Sequence, residues 1–528
     1  MKEYKTIVGK KLIEILMFSM YPDAKIIYRE YIQNARDAIK DAVKAGILQN
    51  FKDGHINVNI DKYNRKITIA DQGIGVSVNE VMPVLLNIAD SHKDGIDSAG
   101  QFGIGRLVGG GYCKKLSFKT STKGENVYSE VIFDVEAARA ILDNESDYRS
   151  AAEVVDAIST VDTHEEQADK HYFVVTLEDV RPDYPELLDE EIISEYLKEV
   201  APIDYSLPFK NQLIATSLKD EFRELNSKVE HFRLSINNET NIHKRYGLKI
   251  EGTGDKIDEL AYFKIEDDNF GLLAWGWYAM TAFSGEIPSS DKNRGIRLRK
   301  HNILIGATNL LSQFFREPRS NNYFYGEIHA IHPKLKPESS RSGLAPTPEA
   351  LKFQELLRGF FLNLYDLYYL ASKMKIATRD FVAAQAGIEQ AVEHKDIPEV
   401  KQMWENAEKE LIKAQKKLTS ATNSAKAQTE TGQKVVEIYQ KKMEDIIKNP
   451  PAISTITHTN KDSIVSKPTV TATPKQLLDK FDVLKLKYSE KEVAIVRQAF
   501  KLLRNHCPSA NTNLIDQLTT KVIKDLSK

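Results

Sequence analysis

Only two cysteines, Cys113 and Cys507, occur among 528 residues, which excludes a disulfide framework and a cysteine-rich zinc site. Long apolar runs are also missing. The best candidate, Lys11 to Met20, is too short to span a bilayer and suits a buried amphipathic helix. The polar start, Met-Lys-Glu-Tyr-Lys-Thr, does not read as a leader, so a cytoplasmic location without a membrane partner is expected. Neither sign of charge dominates. Lys and Arg number 73 against 75 Asp and Glu, a balance that argues against a generally basic nucleic-acid binder but leaves room for a local patch. No internal repeat is present. What the chain does have is 41% hydrophobic content, enough for two to four domains that each bury a core.

Three short runs carry chemistry. The first, residues 28–38, reads Tyr-Arg-Glu-Tyr-Ile-Gln-Asn-Ala-Arg-Asp-Ala and suits a helix, being free of Pro and Gly. Glu30, Asn34 and Asp37 then fall at i, i+4 and i+7, within roughly 60° of one another on one face. A carboxylate such as Glu30 can take a proton from an attacking water. Asn34 offers a hard carbonyl oxygen suited to Mg²⁺. On its own, this spacing describes an ordinary solvated helix face equally well. The second run follows an alternating strand, Lys66-Ile-Thr-Ile-Ala70, that delivers Asp71 into Asp-Gln-Gly-Ile-Gly. Asp71 is placed to accept from an exocyclic amine, and Gly73 and Gly75 permit positive φ and close backbone approach to a flat ring. The third run is Gly100-Gln101-Phe102-Gly103-Ile104-Gly105, followed by an apolar stretch from Leu107 that suits a helix start. Backbone N–H groups there make an anion site fit for phosphates. It lacks the Lys-Ser/Thr ending of a P-loop, and the preceding strand and later acidic residue of a dinucleotide site are absent too.

In this order and spacing the three runs resemble the GHKL, or Bergerat-fold, ATPases, a family that includes gyrase B, the heat-shock chaperones, the MutL mismatch-repair proteins and the histidine kinases. The resemblance implies an α+β chain: a Bergerat-fold α/β sandwich ATP-binding domain, an α/β transducer-like middle domain and helical carboxy-terminal regions. It implies ATP and Mg²⁺ as cofactors. Glu30 becomes the general base, Asn34 the Mg²⁺ ligand beside Asp37, and Asp71 the adenine anchor. Gly73, Gly75, Gly100, Gly103 and Gly105, with Gln101, Phe102 and Ile104 among them, become the backbone around the nucleotide and its lid. The segment 87–100 reads as that lid, with Ser91 and Lys93 where chaperone-type members carry small polar and basic residues. The family's usual Gly-Thr pair is absent. Its nearest equivalent is Thr176 in the strand His171-Tyr-Phe-Val-Val-Thr-Leu-Glu178.

The run Gly-Gln-Phe-Gly-Ile-Gly-Arg-Leu-Val and the later stretches Arg294–Gly306 and Tyr325–Gly343 are most similar to the bacterial heat-shock-chaperone-like (HtpG-like) branch. There a basic residue of the second domain reaches the γ-phosphate, and Arg341 is the candidate. Glu30 favours hydrolysis over the phosphotransfer of histidine kinases, whose phosphoacceptor helix has no counterpart ahead of it. The topoisomerase cleavage domain and the mismatch-repair endonuclease signature are also missing. The expected organisation is an ATPase domain over 1–182, a transducer-like domain over 200–345 with strands near 246–250, 261–265 and 271–280, long helices or a coiled coil over 346–448, a proline-bearing linker over 449–475 and a small helical module over 476–528. Trp275, Trp277 and Tyr278 read as core. The expected activity is a slow, Mg²⁺-dependent ATPase acting as a chaperone-like conformational switch on a protein client, as a homodimer. The alternatives are an ATP-gated DNA clamp of the MutL or MORC type, drawing on Lys413-Ala-Gln-Lys-Lys, and a module that holds ATP without turning it over.

Overall fold

The computed structural model describes residues 7–19, 23–87, 105–238, 241–338, 341–393 and 400–448. The linker and the small helical module expected beyond 448 lie outside them. The fold is α+β, with two sheets among the described residues.

The first sheet has seven strands in the order β5-β4-β3-β6-β2-β1-β7: β1 His55–Asp61, β2 Lys66–Asp71, β3 Lys115–Ser121, β4 Val127–Asp134, β5 Ser159–Glu165, β6 Tyr172–Glu178 and β7 Arg233–Ile236. Alternation decides which side faces the core. Ile56, Val58 and Ile60 of β1 lie opposite Asp71, Ile69 and Ile67 of β2, and all six are buried. The long helix Ile26–Lys44 shares this core, burying Ile27, Tyr28, Tyr31, Ile32, Ala35 and Ile39. β7 lies within the stretch expected to form the second domain. It nonetheless pairs in parallel with β1, because its Leu234 and Ile236 continue the same apolar face.

The second sheet runs β11-β10-β12-β9-β8, with β8 Glu259–Asp267, β9 Gly271–Met280, β10 Gly295–Lys300, β11 Ile303–Leu304 and β12 Tyr325–Ala330. No strand forms over the expected 246–250. Ile250 N–H closes a turn on the Asp255 carbonyl, and Tyr246 packs into an aromatic cluster with Tyr205, Phe209 and Trp277. β9 is buried on both faces, Tyr278 on one core and Trp277 on the other. The helices Pro348–Glu393, Val400–Thr422 and Glu430–Lys448 follow. They do not stand apart, since Phe353, Leu357, Phe361, Val435 and Tyr439 share one core with β9, β10 and β12. A turn at 423–429 divides what reads in sequence as one long helical stretch.

Candidate functional site

The helix Ile26–Lys44 is buried on most sides, so its polar stripe is no solvated face. Glu30 is 6% exposed and Asp37 2%. Asn34 is half-buried, and its amide has no hydrogen-bond partner among the described residues. Gln33 lies on the same stripe, three residues beyond Glu30. It is 1% exposed, and neither atom of its amide has a partner among the described residues. Burying such an amide unsatisfied costs about 1–3 kcal/mol.

Two further runs close on this helix. The Asp71–Gly75 loop meets its far end, where Ile74 N–H donates to the Ala38 carbonyl at 3.0 Å. Asp71 Oδ1 accepts from Gly73 N–H at 2.8 Å. The Gly73 carbonyl lies 2.9 Å from His171 Nδ1. Gly75 takes φ +75°, and a Cβ there would lie 1.9 Å from the Ser121 carbonyl oxygen, so only glycine fits. The end of β3 pins this loop: Thr120 Oγ1 accepts from Val76 N–H and Thr122 Oγ1 donates to the Ile74 carbonyl. Gly105 approaches Glu30 so closely that a Cβ there would sit 2.8 Å from Oε2. Beyond it the expected helix start is a 3₁₀ helix, Gly105–Tyr112, whose Gly109 N–H donates to the Tyr31 hydroxyl at 2.9 Å.

The third party comes from the second sheet. Arg341, in the loop after β12, donates from Nε to Glu30 Oε1 at 3.0 Å across 311 residues of sequence. Its backbone is held at φ +57° by its own N–H on the Glu338 carbonyl and by Gly306 N–H on its carbonyl. Arg36, fully buried, makes a second crossing. It donates to Asp37 Oδ1 at 2.7 Å and from Nε to Glu230 Oε2 at 2.6 Å, and it lies 3.1 Å from Nδ1 of His301 in the β10–β11 turn. Burial works against the Arg36 charge, yet Glu230 and Asp37 raise its pKa further. Burial and then Arg36 push His301 well below the ordinary histidine value, so it stays neutral.

The structure thus brings together Glu30, Asn34, Asp37, Asp71, Gly73, Gly75, Gly105 and Arg341. It does not bring Thr176 to the site. Strand pairing sets Thr176 opposite Thr68, on the sheet face away from Asp71, whose own neighbour on β6 is Phe173. Ser91, Lys93, Gly100, Gln101, Phe102, Gly103 and Ile104 lie outside the described residues. Gln33 and Arg36 belong to the first run and are absent from the sequence reading. Their position on the carboxylate stripe or beside it was the available signal.

Residues 25–165 match the family described as histidine kinase-, DNA gyrase B- and HSP90-like ATPase. They form a GHKL-type ATPase domain. Among curated relatives, this domain is similar to the chaperone protein HtpG of Bacillus licheniformis, with 37% identity over 119 residues, 20% of this chain and 19% of the relative. HtpG of Clostridium acetobutylicum is 34% identical over 119 residues, again 20% and 19%. HtpG of Halalkalibacterium halodurans is 35% identical over 139 residues, 24% and 22%. The chain spans about a fifth of the length of the curated relatives it matches. The GHKL-type domain therefore accounts for the Glu30 helix and the Asp71 loop, while Arg341 and the second sheet lie beyond the matched residues. No described helix is long and apolar enough to cross a membrane.

Proposed function

We propose that this chain is a Mg²⁺-dependent ATPase whose turnover is gated by the second sheet, in a chaperone-like switch. The contact of Glu30 with Arg341 carries the reading. A general base must have a lone pair free for the water proton. While Arg341 donates to Oε1, Glu30 is neutralised by a cation and one of its oxygens is engaged. A γ-phosphate, bearing more charge and more acceptor oxygens than a carboxylate, competes for that guanidinium. Its arrival would draw Arg341 away and leave Glu30 to the attacking water. ADP has no γ-phosphate and would leave the pair intact.

The remaining residues fit the nucleotide. Asp71, on the buried face of β2, would anchor the adenine amine. The amides of Asn34 and Gln33, without partners among the described residues, offer ligands to a metal–phosphate group. Among the described residues no three His, Cys, Asp or Glu side chains converge as a metal cage. Mg²⁺ would be held by Asn34 together with waters and phosphate oxygens, a usual arrangement for this ion, and it would neutralise charge on the phosphates. The protein client and the homodimer rest on the likeness to HtpG alone. The DNA-clamp alternative gains no observation of its own.

The test is Arg341→Ala, with ATP and ADP affinities measured by calorimetry beside steady-state turnover. Turnover and ATP affinity should fall, the affinity by roughly tenfold, the size of one charge-assisted hydrogen bond, while ADP affinity holds. Equal loss for both nucleotides would remove the γ-phosphate role.

A further inference from the structure

Away from the nucleotide site, a groove of about 720 Å³ runs between the helices Pro348–Glu393 and Val400–Thr422. Lysines form its rim: Lys409, Lys413, Lys416 and Lys417 from the second helix and Lys373 from the first. Lys409, Lys413 and Lys416 repeat at i, i+4 and i+7, one stripe of that helix. Its floor is apolar. Ile376 and Ile412 remain 42% and 47% exposed there, with Ala377 and Ala421 beneath. Lys413 and Lys417 have carboxylate partners, Glu410 at 3.4 Å and Asp380 at 2.9 Å, but both lysines are at least half exposed. Exposed pairs of this kind are worth little and exchange readily.

A fitting ligand must supply anions to the rim and apolar groups to the floor together. Nucleic acid supplies only the first. A single strand is held by aromatic stacking and a duplex by its backbone phosphates, yet no aromatic or arginine lines this groove, and phosphates leave the isoleucines in water. The chain's own residues 449–528 fail on charge, carrying 13 Lys and Arg against 7 Asp and Glu. A helix with an apolar stripe flanked by carboxylates meets both demands, since its i, i+3, i+4 and i+7 side chains run along one side. Lysine, with its flexible stem and compact charge, suits a rim that must follow carboxylates at differing positions.

We infer that this groove docks an acidic amphipathic helical segment of a protein partner, with apolar side chains against Ile376 and Ile412 and carboxylates on the lysine rim. The site is separate from the nucleotide reading and is tested without nucleotide. The experiment is fluorescence anisotropy on the full chain with a labelled Leu/Glu peptide of about five helical turns, roughly 18 residues, its leucines on one face. A peptide of the same composition in shuffled order and a short DNA duplex serve as competitors. The amphipathic peptide should bind, and the shuffled one should bind at least about tenfold more weakly. Lys409→Glu, Lys413→Glu and Lys416→Glu together should cost about tenfold or more. Ile412→Ser alone, at an exposed position, should weaken binding severalfold and keeps the test open if the triple variant melts early. Equal binding of the shuffled peptide, indifference to Ile412→Ser, or preferential salt-sensitive capture of the duplex would overturn the assignment.

Discussion

Two buried polar clusters, one in each sheet region, are satisfied to different degrees. In the second sheet Glu327 is wholly buried and fully matched: Oε1 accepts from Arg299 Nε at 2.6 Å, and Oε2 accepts from Lys244 Nζ at 2.8 Å and the Tyr205 hydroxyl at 2.6 Å. Arg299 spends its other donors on the carbonyls of Asn302 and Glu199, and Lys244 also reaches Asn302 Oδ1. Burial alone would raise the Glu327 pKa, yet Arg299 and Lys244 hold the carboxyl well below the usual range. On the Ile26–Lys44 helix the same degree of burial leaves the Gln33 amide without partners among the described residues, and Glu30 leans on a cation from another part of the chain. Buried charge therefore does not mark function by itself. The matched cluster holds a sheet together, while in the other the Gln33 amide stays unpaired among the described residues.

This contrast breaks if the two clusters respond alike. The largest expected effect lies at the proposed base. Glu30→Ala should keep ATP binding and reduce turnover by roughly 10²–10⁴-fold, read by phosphate release, and unchanged turnover would place the base elsewhere. Asp71→Asn, by contrast, should abolish ATP binding in calorimetry, because an amide brings a donor where the adenine amine needs an acceptor. Next comes the matched cluster. Glu327→Ala leaves two buried cations facing a void and should cost about 3–5 kcal/mol in urea unfolding without altering nucleotide affinity in the folded protein. Gln33→Leu should do the reverse. Removing an unsatisfied buried amide at similar volume should stabilise the nucleotide-free protein by about 1–3 kcal/mol and weaken ATP binding. A loss of stability on this change would mean that the amide is paired.

The smallest effect is a pH slope at the contact between the two regions. His301 has a folded pKa well below its ordinary 6.5. Below pH 6.5 the unfolded chain takes up a proton that the folded chain refuses, so folding stability falls as pH drops from about 6.5. His301→Leu should flatten that part of a stability–pH profile. A slope unchanged by this replacement would show that the imidazole is not the titrating group.

Much of the first region was legible in sequence. The spacing of Glu30, Asn34 and Asp37 and the alternation ahead of Asp71 report which side chains share a face, because helix and strand periods are local properties. Thr176 falls on the sheet face away from Asp71, because successive residues of a strand alternate between the two faces and composition does not report the register. Residues 246–250 have the composition of a strand but make only an isolated antiparallel bridge, Lys249 with Lys256, so a turn and aromatic packing prevail. β7 joins the first sheet from far along the chain, a pairing that composition cannot report.

Sequence alone determined the helix that carries Glu30, the glycine turn after Asp71 and the relation of both to GHKL-type ATPases, since each depends on residues within a few turns of one another. Only the tertiary structure decided that Arg341 meets Glu30, that Arg36 reaches His301 and that Gln33 is left without a partner among the described residues. Those contacts depend on how separate cores pack, and no spacing of residues 311 positions apart encodes that.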